Sequence, residues 1–129
     1  EHSELARLTQ IDYAREMAFI ATRSIDGGGE ETLGTVRVVI DPDNQDAEFG
    51  VIVRSDLKGG GLGRRLMAKM TEHLRQRGTR RMVGNVLREN AGMLELARAL
   101  GFQESAHPGE PDDRGLRFVT LDLQTPPGA

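Results

Sequence analysis

Residues 55–70 read SDLKGGGLGRRLMAKM, so a cluster of four glycines runs directly into a helical pattern. Leu62, Leu66 and Met70 recur every four residues with charged residues between them, which is typical of a helix with one buried face. A glycine inside an ordered element costs roughly 0.5–1 kcal/mol relative to alanine. The cluster therefore predicts a backbone that a ligand must approach closely.

The first ligand to consider is an anion. Successive backbone N–H groups at the start of a helix, together with the helix dipole, bind phosphate oxygens. Each hydrogen bond to a charged acceptor contributes roughly 1.5–3 kcal/mol, so two or three would outweigh the cost of the glycines. Lys58, Arg64 and Arg65 would add positive charge. The alternative is a tight strand-to-helix turn that uses glycine only for its conformation.

Two common phosphate-binding motifs do not match this stretch. The nucleoside triphosphate loop ends in Gly-Lys followed by Ser or Thr, and the chain contains no Gly-Lys dipeptide. The dinucleotide motif GxGxxG requires a third glycine, and Leu66 stands at its position. We therefore expect a phosphate-bearing ligand of another class.

Composition limits the function further. The chain has 129 residues, enough for one domain, and a net charge of −3 without a basic excess, which argues against nucleic-acid binding. Cysteine is absent, which excludes disulfides, thiolate catalysis and cysteine-bound zinc, and we expect no metal. The apolar runs are much shorter than the ~20 residues of a membrane span. We therefore expect a cytoplasmic protein without a nucleic-acid or membrane partner.

Hydrophobic spacing and turn residues predict a mixed α+β domain. The strand–helix–strand unit over residues 47–87 predicts a parallel strand pair with a right-handed crossover. In chain order we predict a helix in residues 4–17, strands over 18–24, 32–40 and 47–53, a helix from 62 to a terminating glycine at 78, a strand over 81–87, a helix from an Asn90 cap to Gly101, and strands near 102–105 and 115–123.

Two motifs carry a resemblance to a known family. Residues 58–63, KGGGLG, fit the pattern (Q/R)xxGx(G/A) with lysine at its first place, and ENAGMLELARALGF at 89–102 fits a second recurrent block. Together they resemble the GNAT superfamily of N-acetyltransferases over residues 33–123. IDYAREMAFIA at 11–21 and AEFGVIVRSDLKG at 47–59 further resemble the acetyltransferase domain of bacterial protein lysine acetyltransferases (Pat type).

This resemblance implies the single-domain acyl-CoA N-acyltransferase fold, with a central mixed, splayed sheet flanked by helices, and acetyl-CoA as the acetyl donor. The pantetheine arm would pair with the backbone of Val51, Ile52 and Val53. Asn90 would face the same cleft, cap the second helix, or do both. The pyrophosphate would lie on the amides of the glycine cluster beside Lys58, namely Gly59, Gly60, Gly61, Leu62, Gly63 and Arg64.

The resemblance also carries expectations about domains and partners. In that family the acetyltransferase domain is fused to a regulatory or acyl-CoA-synthetase-like domain, so we expect residues 1–129 to be an acetyltransferase domain excised from a longer protein, without the usual first strand. The expected acceptor is a lysine of a protein such as an acyl-CoA synthetase. The acceptor side would use the N-terminal helical segment and the loops at 26–30 and 106–114.

With no candidate for a covalent nucleophile, the substrate amine would attack the thioester directly, and this attack requires a general base. A lysine amine has a pKa of about 10.4, so only about 0.04% is neutral at pH 7, and a general base recovers part of this cost. Glu48 is the only acid in the apolar strand before the glycines, and the resemblance places a catalytic glutamate there. We expect partial burial beside Phe49 and Val51; the alternative is an edge-strand glutamate facing water. We do not expect His2, His73 or His107 to be catalytic.

One departure from the family pattern concerns the leaving thiolate. Many relatives carry a tyrosine four residues before the closing Gly-Phe, and Ala97 stands there; the only tyrosine is Tyr13. Solvent would then protonate the thiolate, or the acid lies elsewhere. Three hypotheses remain: a protein lysine acetyltransferase, a small-molecule amine acetyltransferase, and a catalytically silent acyl-CoA-sensing module.

Overall fold

A computed structural model describes residues 7–105 and 115–124, which form one seven-stranded sheet in the order β1-β2-β3-β4-β5-β7-β6. Only β4 and β5 are parallel; every other neighbouring pair is antiparallel. Within these two ranges, no helix is long and apolar enough to cross a membrane. The elements are β1 (Arg7–Asp12), β2 (Glu16–Ser24), β3 (Glu30–Ile40), β4 (Asp46–Val53), a 3-10 turn (Ser55–Leu57), α1 (Leu62–Arg77), β5 (Arg81–Leu87), α2 (Ala91–Ala99), β6 (Gln103–Ser105) and β7 (Leu116–Asp122).

The helix α1 packs against strands β2, β3 and β4 on one face of the sheet. Its apolar stripe is fully buried at Leu66, Met67, Met70 and Leu74, and burying each such side chain stabilises the fold by about 1.5–3 kcal/mol. Gly78 ends the helix with a φ of 82°, donating its N–H to the carbonyls of Leu74 and Arg75. The predicted helix and its terminating glycine are therefore confirmed.

The predicted N-terminal helix is wrong, because this segment forms strands. Residues Arg7–Asp12 are β1 and pair antiparallel with β2, and the N–H of Tyr13 donates to the carbonyl of Glu16 in the turn between them. Leu8 and Ile11 have helical spacing, but in β1 they lie on opposite faces, and Leu8 packs against the core. Pairing with β2 overrides the local pattern and places this segment at the outer edge of the sheet.

The parallel pair β4–β5 is short and opens into a fork. It pairs only at Asp46↔Arg81, Ala47↔Met82 and Glu48↔Val83. At the closed end, Arg81 Nε donates to Asp46 Oδ1 over 2.8 Å and the Arg81 N–H donates to the Gln45 carbonyl over 2.7 Å. Beyond Glu48 and Val83 the two strands separate toward their carboxyl ends, so the splayed sheet expected from the sequence is confirmed.

The ring of Phe49 fills the base of this fork. It packs edge-on against Phe102 with 5.5 Å between the ring centroids. It also lies over Gly84 of β5, so closely that a Cβ there would be 2.7 Å from Phe49 Cζ. A side chain at Gly84 would therefore displace the ring.

We predict that Gly84→Ala lowers the free energy of unfolding by about 1–3 kcal/mol, because the added methyl group overpacks the contact with Phe49. Urea denaturation measures this difference. The matched control is Gly50→Ala in β4, where a Cβ meets nothing within 4 Å, and which should retain wild-type stability. Equal stability of the two variants would show that Phe49 does not wedge the fork.

Candidate functional site

A cavity of about 450 Å³ lies where the carboxyl end of β4 meets the first turns of α1 and α2. Its volume falls in the range of about 300–1,000 Å³ that is usual for ligand sites. The lining residues are Val51, Ile52, Val53, Leu57, Lys58, Gly59, Gly61, Gly63, Arg64, Asn90, Gly92, Met93, Glu95 and Leu96.

Most of the residues predicted to bind the ligand line this cavity. The exceptions are Gly60 and Leu62, which are not among its described lining residues. The Leu62 side chain is buried in the core, so only its backbone is available to a ligand. Residues far apart in the chain, from Val51 to Asn90, thus meet at the open end of the fork.

The first turn of α1 presents free backbone donors to the cavity. The first four N–H groups of a helix have no intrahelical acceptor, and the N-cap residue Gly61 has no side chain to satisfy them. Its φ of 90° and that of Gly59, 87°, lie in the left-handed region, and a Cβ at either would meet nothing within 4 Å. Together with Lys58 and Arg64 on the cavity wall, these donors suit a phosphate group.

The second helix, α2, begins differently. Its N-cap is Asn90, whose Oδ1 accepts a hydrogen bond from the Met93 N–H over 3.0 Å. One of its free amides is therefore already satisfied by the chain itself. Asn90 caps the helix and also lines the cavity, so both alternatives considered from the sequence hold for its position.

The cavity edge of β4 has a backbone free for pairing. The N–H of Arg54 donates to the Leu33 carbonyl of β3 over 2.9 Å. Because backbone groups along a strand point alternately to its two edges, those of Val51 and Val53 face the gap toward β5. No described strand pairs with this edge beyond Glu48. The edge can therefore accept an extended, amide-bearing ligand as an additional strand.

Glu48 lies at the last paired position of the fork, opposite Val39 in β3 and Val83 in β5. Its side chain is exposed, so the expected partial burial is wrong and the alternative of a solvent-facing glutamate describes its environment. Alternation along the strand places Glu48, Gly50 and Ile52 on the face opposite α1. Glu48 is not among the described residues that line the cavity.

The remaining candidates do not contribute to this cavity. The His73 ring of α1 packs edge-on against Phe19 of β2, with 5.8 Å between the ring centroids. Neither residue is among those that line the cavity. Tyr13 lies in the β1–β2 turn. In this turn the Arg15 carbonyl accepts a hydrogen bond from the Ile40 N–H at the end of β3, so the turn lies at the same end of the sheet as the closed end of the fork. Ala97 is fully buried. His2, His107 and the loop at 106–114 lie outside the described residues.

The carboxylates and histidines give no metal site in the described parts of the chain, where no group of three or more potential ligands is found.

Sequence reasoning missed five residues of the cavity wall: Leu57, Gly92, Met93, Glu95 and Leu96. Met93 and Leu96 are half-buried and also pack against the core. The sequence could have indicated the residues of α2, because residues in the first turns of a helix lie next to its N-cap and therefore line any site that the cap faces. Glu95 adds a second exposed carboxylate near the site.

Comparison with known proteins shows a family relationship. Residues 1–102 match the family model described as the acetyltransferase (GNAT) family. The chain is 33% identical over 109 residues to an acetyltransferase of Pseudomonas aeruginosa, covering 84% of this chain and 56% of that protein. The chain therefore spans a little over half the length of this curated relative.

Solved structures share the fold at low sequence identity. An N-acetyltransferase of Campylobacter jejuni, solved in complex with acetyl coenzyme A, has a TM-score of 0.64 at 20% identity, covering 85% of this chain and 70% of that chain. The ribosomal-protein-S18-alanine N-acetyltransferase of Escherichia coli has a TM-score of 0.67 at 21% identity, covering 89% and 74%.

Proposed function

Because the chain belongs to the GNAT family of acetyltransferases, we propose that it transfers the acetyl group of acetyl-CoA to an amine, specifically to a lysine side chain of a protein. The observation that carries this proposal is the uncapped first turn of α1, which opens into a cavity bounded by the free edge of β4. These two features match the two chemical parts of the donor, an anionic pyrophosphate and an extended amide chain.

The donor would be bound largely by backbone groups. The amides of Gly59 and of residues 61–64 would hold the pyrophosphate, with each charged hydrogen bond contributing roughly 1.5–3 kcal/mol. The N–H of Gly60 already donates to the Leu57 carbonyl. Lys58 keeps a positive charge where arginine or glutamine is commoner, but lacks the two-pronged geometry of arginine. The backbone of Val51 and Val53 would pair with the pantetheine amides and direct the thioester toward the fork.

Glu48 is the proposed general base. From the last paired position of the fork it would take a proton from the incoming ammonium group, directly or through one water. The neutral amine nitrogen then forms a bond to the thioester carbonyl carbon, and the carbon–sulfur bond breaks. The second proton of this nitrogen passes to solvent, and solvent protonates the released thiolate. The proton on Glu48 returns to solvent as the next amine enters. An exposed base on the face opposite α1 can receive an acceptor that does not compete with the donor for space.

The departing thiolate has no tyrosine to protonate it. The position that carries one in many relatives is Ala97, which is fully buried, and Tyr13 lies at the closed end of the sheet. Solvent protonation is sufficient, because a thiol pKa of about 8–9 makes the thiolate a good leaving group.

An open sheet face supports a protein acceptor. Among the described residues around Glu48, Val39 is 52% and Ile52 is 73% exposed, which leaves room for a bulky partner. One structural neighbour is named for a protein amine. That the acceptor is an acyl-CoA synthetase, and that the domain works fused to a regulatory or synthetase-like domain, rests on the resemblance of residues 11–21 and 47–59. A small-molecule amine and a silent acyl-CoA sensor are the competing readings.

Substrate class is tested by comparing acceptors at equal acetyl-CoA concentration. We expect turnover on an acyl-CoA synthetase, with mass spectrometry locating acetyl-lysine on it. Efficient turnover of polyamines or aminoglycosides without any modified lysine would establish the small-molecule function instead. Binding of acetyl-CoA without turnover on any acceptor would favour the sensor.

Phosphate binding by α1 is tested with a pair of variants of equal size. Gly63 lies in the first turn, lines the cavity and has no positive φ. A Cβ there would make ordinary contacts, 3.4 Å from Leu96 Cδ2 and 3.6 Å from Val53 Cγ2. We predict that Gly63→Asp lowers acetyl-CoA affinity at least about tenfold more than Gly63→Asn, because only the aspartate repels the pyrophosphate. Calorimetry on both folded variants measures this. Equal affinities would contradict the assignment.

The base is tested by Glu48→Gln, which keeps the shape of the side chain and removes its basicity. We predict a turnover number lower by about 10²–10⁴-fold, nearly unchanged acetyl-CoA affinity, and a residual rate that rises with pH as neutral amine becomes available. The surface variant Glu72→Gln, at an exposed position of α1, should retain wild-type turnover. If Glu95→Gln loses turnover while Glu48→Gln keeps it, Glu95 is the base.

A further inference from the structure

An ion-pair cluster lies next to the segment 58–63, called here the glycine loop. The cluster is formed by Arg23, Glu31, Arg54 and Asp56. Arg54 bridges two carboxylates: its Nη1 lies 2.9 Å from Glu31 Oε1 and its Nη2 lies 2.6 Å from Asp56 Oδ2. Its Nε adds a bond of 3.0 Å to Asp56 Oδ1. The other oxygen of Glu31 accepts from Arg23 Nη2 over 2.7 Å and from Arg23 Nε over 2.8 Å.

The members of this cluster are charged at neutral pH. Hydrogen bonds from Arg23 and then Arg54 lower the pKa of Glu31, and a hydrogen bond from Arg54 lowers the pKa of Asp56. Hydrogen bonds to Asp56 and Glu31 raise the pKa of Arg54. Two-pronged arginine–carboxylate contacts of this kind fix direction as well as distance.

The cluster joins the β2–β3 hairpin to the turn that leads into the glycines. Arg23 and Glu31 belong to the hairpin, whereas Asp56 lies in the 3-10 turn between β4 and α1. That turn continues through backbone bonds from Leu57 N–H to the Arg54 carbonyl and from Gly60 N–H to the Leu57 carbonyl. Because these hydrogen bonds link Arg54 to Gly60, the position of the Arg54 backbone constrains the position of the glycine loop.

The glycine loop has little stiffness of its own. Gly59 and Gly61 adopt left-handed conformations, and the space that a Cβ would occupy at either is open. A glycine backbone has more conformations to lose than any other. Ordering such a loop when a ligand binds lowers affinity, unless the rest of the protein has already fixed it.

We propose that Arg54 and Glu31 are positioning residues for the donor: they hold the turn Ser55–Leu57 so that the free amides of the glycine loop point into the cavity before acetyl-CoA arrives. This inference rests on the proposed function, because it concerns the same cavity. Neither residue lines the cavity among the described residues, so their effect on the ligand is indirect.

The structure offers a matched control on the same hairpin. Glu30 is adjacent to Glu31 and also pairs with an arginine, Arg7 Nη1, over 3.1 Å. That pair reaches toward β1, at the outer edge of the sheet and away from the glycine loop. Exposed ion pairs contribute only about 0–1 kcal/mol to stability, so both Glu31→Gln and Glu30→Gln should fold.

The experiment compares acetyl-CoA binding by calorimetry and steady-state kinetics in the wild type, Glu31→Gln and Glu30→Gln. We expect Glu31→Gln to raise the Kd and KM for acetyl-CoA about three- to fivefold, with kcat at saturation within about twofold. Glu30→Gln should match the wild type in its Kd for acetyl-CoA. Hydrogen exchange should be faster at residues 55–64 in Glu31→Gln alone.

Each outcome decides one claim. If the wild type does not bind acetyl-CoA, the proposed function fails. If the wild type binds and Glu31→Gln binds equally well, or if Glu30→Gln weakens binding as much as Glu31→Gln, the positioning role is overturned. Arg54→Lys provides a second test, because lysine keeps the charge but cannot bridge both carboxylates; wild-type KM in that variant would also overturn it.

Discussion

The early end of pairing between β4 and β5 is the constraint on which the rest of the site depends. Three paired positions, ending at Glu48 and Val83, hold the strands together at one end. The Phe49 ring lies against Gly84 and keeps the strands apart beyond that point. The separation leaves one edge of β4 unpaired, and it places the first turns of both helices around the resulting gap.

Under the proposed function, this arrangement would place the two substrates on opposite faces of the sheet. Both helices lie on one face, where the uncapped turn after Gly61 and the free edge of β4 offer donors to an anionic, amide-bearing ligand. Glu48 emerges on the other face at the point where the strands part. A ligand that follows β4 toward the fork would deliver its reactive end to the position that this carboxylate can reach. The ion pairs of Arg54 with Glu31 and Asp56 connect the turn before the glycine loop to the β2–β3 hairpin.

The sequence predicts those parts of the structure that depend on nearby residues. Both helices, their caps and the cavity residues after β4 follow from local glycine and asparagine signals such as Gly61 and Asn90. The strand β1 does not follow from local signals, because Leu8 and Ile11 have helical spacing and only pairing with β2 makes this segment a strand. The exposure of Glu48 depends on which face of the sheet the helices cover. Contacts between residues 31 and 54 join distant segments and leave no pattern in either one.

The most direct test of the central claim follows the backbone amides themselves during a titration with acetyl-CoA, using nitrogen–proton correlation spectra. We predict the largest shifts at the N–H groups of Gly61, Gly63 and Arg64 and along the free edge of β4 at Val51 and Val53. The amides at the closed end of the fork, over residues 41–46, should remain unchanged. Shifts concentrated at that closed end, with residues 59–64 unaffected, would contradict the proposal that these amides and the free edge of β4 bind acetyl-CoA.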